Sequence, residues 1–92
     1  MNVINKYLLG WNIRQTIELP MLADILSVIP QNDGIAMYAI CDPKITKMSK
    51  RHIVVLGTET EYENDRVMLY IGTVQEPRTP FVRHIFEDLG KR

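Results

Sequence analysis

A single cysteine, Cys41, stands among the 92 residues. One thiol closes no intrachain disulfide, and it excludes a two-cysteine redox motif and a cysteine-rich zinc site. Such a chain suits a reducing compartment, so a cytoplasmic location is the expectation. Histidine is scarce too: His52 and His84 stand alone, with no His-x-x-x-His or Glu-x-x-x-His spacing to seed a metal site. Neither charge is in surplus, since Lys plus Arg and Asp plus Glu number 11 each. Duplex nucleic acid is bound through a basic surplus, so it is not an expected partner. No apolar run approaches the ~18 residues of a membrane span, and no membrane association is expected. The opening MNVINKYLLGWNIRQ also lacks the apolar core of a signal peptide. No Gly-x-Ser-x-Gly elbow and no phosphate-binding glycine loop occurs, so neither an enzyme nor a cofactor is expected.

What is present reads as one globular domain over residues 1–92, with 46% hydrophobic and 24% charged residues. The stretch from Ala23 to Pro43 organises it. An apolar run leads to Gln31-Asn32-Asp33-Gly34, and a second apolar run follows. Asn, Asp and Gly tolerate left-handed backbone, so this is a β-hairpin with a short loop ending on a glycine. Both arms are apolar at nearly every position, which implies a strand pair covered on both faces. Cys41 lies inside the second arm and reads as a small buried hydrophobe rather than a nucleophile.

Around the hairpin, Val3 to Leu9 predicts a first strand. Ile13, Gln15, Ile17 and Leu19 alternate with Arg14, Thr16 and Glu18, a half-exposed strand ending at Pro20. Residues 20–29 carry helical spacing, but their β-branched content and the turn cluster after them favour a strand from Asp24. Residues 42–52 read as a basic loop, His52 to Leu56 as a buried strand, and 58–66 as a solvated acidic loop. Val67 to Val74 is a strand in which Gly72 marks a bulge or a close backbone approach. Residues 79–92 conflict: Thr79 and Pro80 open a helix signature that Gly90 closes, whereas the core FVRHIF alternates like a strand. The fold expected is mainly β, a small antiparallel sandwich or barrel-like domain of about six to seven strands. Its alternative is an α+β domain with a C-terminal helix over 80–89.

The candidate ligand-binding residues are Trp11, Arg14, Arg51, His52, Phe81, Arg83 and His84. Arg51 and His52 end the basic loop, which can grip an anion or simply be solvated. The acidic loop does not match a calcium-loop spacing. These two loops flank one strand and should lie roughly 20 Å apart at its ends, at ~3.3 Å per residue. One positive and one negative end favour head-to-tail assembly. Arg83-His84 between Phe81 and Phe86 suits nucleotide recognition, a base stacking on the ring while guanidinium takes phosphate. The plainer reading puts His84 in the core and Arg83 at the surface. Trp11 is either a core plug or a stacking surface, core being the stronger reading.

Three segments in order carry a resemblance: QTIELP with ADILSV, then YAICDP, then YIGTVQ leading into FVRHIFE. Together they resemble a family of small uncharacterised proteins of bacteriophages and bacterial genomes. The family's usual Gly-Thr-Gly is Gly57-Thr58-Glu59 here, and Arg83 stands where Trp is common. The resemblance implies a compact β domain, with both residues 24–31 and the last segment as strands. By analogy it implies a phage counter-defence factor: a homo-oligomer that sequesters a cyclic nucleotide immune signal. The alternative is a protein–protein adaptor or virion accessory protein without a small-molecule ligand.

Overall fold

Gln31 and Gly34 face each other across a two-residue turn made by Asn32 and Asp33. Asn32 takes the left-handed conformation (φ 52°), which a short polar side chain tolerates. Gly34 serves a different need: a Cβ there would lie 3.0 Å from the Leu9 carbonyl oxygen. The glycine is required for room and not for a positive φ.

The computed structural model describes all residues 1–92 and contains seven strands and no helix. They are β1 (Val3–Leu9), β2 (Arg14–Pro20), β3 (Asp24–Gln31), β4 (Gly34–Cys41), β5 (Met48–Gly57), β6 (Arg66–Gln75) and β7 (Val82–Lys91). A three-stranded sheet runs β1-β4-β3 and a four-stranded sheet runs β2-β5-β7-β6. Every pairing is antiparallel, and the two sheets make a small β sandwich. No helix is long and apolar enough to cross a membrane.

Inward-facing residues alternate along each strand, as the period of two requires. Leu9, Ile35, Met37 and Cys41 meet Leu19, Ile53, Val55, Val74 and Ile85 in one cluster. Cys41 is buried there, its Sγ 3.6 Å from the Tyr7 hydroxyl. The sheets meet where β3 lies against β6. At that junction Gly72 faces Val28, and a Cβ on the glycine would lie 2.8 Å from Val28 Cγ2. The register also shifts between Tyr70 and Gly72, so the glycine marks both a bulge and a close approach.

Three expectations need correction. Residues 80–89 form no helix: β7 is a central strand hydrogen-bonded to β5 on one side and β6 on the other. A helix there would strip ladder partners from two strands, so tertiary pairing overrides the capping signals. The basic loop ends earlier than its charges suggest. Lys50, Arg51 and His52 lie within β5, so the positive residues line a strand rather than one end of it. The β3–β4 hairpin is covered on its inner face and only partly on its outer face, where Ala36 is buried. On its outer face Ile29 stays 45% exposed and Leu26 43%.

Candidate functional site

The alternation of β5 and β7 sends neighbouring candidate residues to opposite faces of the four-stranded sheet. Arg51 shares the inner face with Ile53 and Val55, whereas His52 shares the outer face with Val54. In β7, Ile85 and Glu87 point inward with Arg83, while His84, Phe86 and Asp88 point outward. The candidate set is therefore split before any loop is considered.

On the outer face the segment 58–65 folds back over the sheet. Tyr62 donates its hydroxyl to Asp88 Oδ2 at 3.0 Å, and Arg14 Nε donates to the same hydroxyl at 3.2 Å. The Arg14 guanidinium also lies 5.1 Å over the Tyr62 ring and bonds Glu63 at 3.1 Å. Arg66 completes the network by bonding both Asp88 oxygens at 3.1 Å. Burial alone would raise the Asp88 pKa. Hydrogen bonds from Arg66, the Gly90 amide and Tyr62 outweigh it and hold the carboxyl below its ordinary 3.8. His52 lines the same cleft of about 350 Å³, bonded to Thr16 Oγ1 at 3.2 Å.

The other candidates lie elsewhere. Arg51 forms a bidentate pair with buried Glu87 and donates to the Ala23 carbonyl at 2.9 Å, so it clips the sandwich from within. Arg83 bonds Glu76 at 2.7 Å and lies 5.7 Å over the Phe81 ring, beside a cleft of about 410 Å³ lined by Gly57 and Thr58. It is half-buried. His84, on the outer face and not in the core, joins Thr58 at 2.9 Å and Thr73 at 3.2 Å. Trp11 is half-buried against the core and donates its indole N–H to the Asp33 carbonyl at 2.6 Å. The structure thus brings Arg14 and His52 together, and Phe81 with Arg83. It keeps Trp11 apart from both groups and pairs Arg51 with Glu87 on the inner face, although Arg51 also lines a third cleft with His52, Arg66 and Asp88.

Every arginine except Arg92 is paired with a carboxylate: Arg14 with Glu63, Arg51 with Glu87, Arg66 with Asp88, Arg78 with Asp33, Arg83 with Glu76. A phosphate would have to displace an internal carboxylate from each. No group of three or more His, Cys, Asp or Glu side chains is placed to hold a metal ion. Sequence reasoning missed Tyr62, Arg66 and Asp88. The signal was Tyr62, a lone aromatic in an acidic loop, where a ring has little reason to be unless it packs.

The second surface of note is the outer face of the three-stranded sheet. Its register forms three rows across β1, β4 and β3: Leu8–Ala36–Ile29, Lys6–Tyr38–Ser27 and Ile4–Ile40–Asp24. Leu8 is 69% exposed and Ile4 63%, around a fully buried Ala36 that stands outside the core cluster. Lys6 and Asp24 are the two charges in these rows.

The chain matches the family model described as a domain of unknown function, DUF7352, over residues 1–91. It belongs to that family. The DUF7352 fold, as this chain adopts it, is the two-sheet sandwich just described. No curated protein and no solved structure matches the chain.

Proposed function

We propose that this DUF7352 domain is a non-enzymatic binding module that works by protein–protein contact, through the outer face of its three-stranded sheet. One observation carries the reading: Leu8, Ile4, Ile29 and Leu26 leave apolar surface uncovered on one sheet face, on either side of the Lys6–Tyr38–Ser27 row, while the arginines are held by the chain's own carboxylates. Contiguous apolar surface on a small domain marks a contact surface, since leaving it wet costs free energy. This is the adaptor reading. Lysine cross-linking in intact cells followed by peptide mapping tests it. Linkages should form at Lys6, and Leu8→Glu with Ile29→Glu should remove them without affecting those at Lys44. Linkages confined to Lys44, Lys47 and Lys91 would place the working surface elsewhere.

A second reading, sequestration of a nucleotide-derived signal in phage counter-defence, draws on the outer cleft. Arg14 stacked on Tyr62 beside Thr16 and His52 brings an aromatic ring, a cation and hydroxyl groups together, as Arg83 over Phe81 does beside Thr58 and Thr60. A panel of cyclic nucleotides in a thermal-shift assay tests it. A rise in Tm that is lost in Arg14→Ala supports the reading, and no rise with any nucleotide removes it.

A further inference from the structure

We infer that the occupant of the apolar outer face is a second copy of this chain, related by a half turn about a line running along β4. The inference rests on reading that face as the working surface, and it adds the partner and the register.

The rows decide the geometry. Two sheets pack face to face about 10 Å apart. A half turn along β4 lays β1 of one copy over β3 of the other, so Leu8 meets Ile29, Ala36 meets Ala36 and Tyr38 meets Tyr38. Ala36, on the central strand, is fully buried between Leu8 and Ile29, so the contact in that row is made by Leu8 of each copy against Ile29 of the other. A two-fold contact must be self-complementary, each residue meeting its counterpart in both directions. The Leu8–Ile29 row meets that condition, while the same half turn sets Ile4 over the other copy's Asp24 and Lys6 over its Ser27.

Charge selects this half turn over the other. Lys6 has one polar partner, Gln31 Oε1 at 3.4 Å, and Asp24 forms no ion pair, although its charge acts on Arg51 of the same chain. They stand on opposite edge strands, one row apart. The half turn along β4 lays Lys6 over β3 of the other copy, one row from its Asp24, so the dimer holds two Lys6–Asp24 pairs. A half turn about a line across the strands would instead set Lys6 over Lys6, which like-charge repulsion disfavours. Net charge also sets up no opposition, since 11 cations balance 11 anions in each copy.

The face is modest. Three strands about 4.8 Å apart give less contact than the ~800 Å² per partner of a standard interface, so the dimer dissociates on dilution.

Light scattering and native mass spectrometry over a dilution series test this. The wild-type chain should run as a dimer that dissociates on dilution. Leu8→Glu should be monomeric with an unchanged circular-dichroism spectrum, because Leu8 is exposed. Lys6→Asp and Asp24→Lys should each weaken self-association about tenfold or more through like-charge contacts. Mixed in equal amounts, those two variants should form a heterodimer, because every lysine of one copy then faces an aspartate of the other. A monomer at all concentrations, a dimer that survives Leu8→Glu, or a mixture that fails to pair would overturn the inference. A monomer that still cross-links at Lys6 in cells removes the second copy but leaves the adaptor reading standing. A monomer without such linkages removes both.

Discussion

Arg51 and Glu87 show how far one residue's role depends on its partner. Read along the chain, Arg51 belongs to a run of cations; in the fold it neutralises a carboxylate that is 5% exposed. Removing it leaves that charge buried and unpaired. Arg51→Ala should therefore cost about 3–5 kcal/mol in urea unfolding, and Arg51→Met with Glu87→Met should recover most of the loss. Equal destabilisation by the single and double variants would contradict the pairing. Asp88 gives the matching pH prediction. Its pKa is lowered in the fold, so the unfolded chain takes up the proton first. Its stabilising contribution is complete above the ordinary carboxylate value and disappears as pH falls through the lower folded value. Asp88→Asn should be less stable at neutral pH, and its Tm should fall less steeply than wild type below about pH 4. Parallel acid limbs would refute this. Neither partnership was legible in the sequence, because the partners lie 36 and 22 residues apart. The burial of Cys41 was legible, because an apolar run surrounds it.

At the scale of elements, alternation did most of the work. The limits of β1 and β3 follow the sequence pattern, and the residues of β7 divide between faces as FVRHIF alternates. What periodicity could not decide was which face met the core. His84 looked inward and faces outward, because strand order and not composition sets the sign of the alternation. The capping signals around residues 79–90 misled for a related reason: they describe a segment in isolation, whereas β7 has ladder partners on both sides. Gly72 was readable as a point of close approach, although its neighbour was not. With a Cβ 2.8 Å from Val28 Cγ2, Gly72→Ala should cost about 1–3 kcal/mol by overpacking the sheet junction. Combined with Val28→Ala it should cost less than the sum of the two changes. Additive losses in a thermal unfolding cycle would show that the sheets do not meet there.

For the whole molecule, thinness is the governing fact. The backbone measures 41 × 34 × 15 Å, and 16 of the 92 residues are buried. Both sheets therefore own a full outer face. The four-stranded sheet protects its face with Tyr62, Arg14 and the folded-back segment 58–65. The three-stranded sheet leaves Leu8, Ile4 and Ile29 uncovered. The hairpin's composition, apolar on both faces, was legible; that its outer face stays partly open in the single chain was not, and we propose that a second copy covers it. Methyl NMR with a paramagnetic co-solute tests that claim most directly. At high protein concentration the methyls of Leu8, Ile29 and Ile4 should be shielded, and dilution should expose them. The methyls of Leu69 and Leu89, exposed at 52% each, should stay accessible throughout. Leu8 and Ile29 methyls as accessible as those of Leu89 at every concentration would contradict the account.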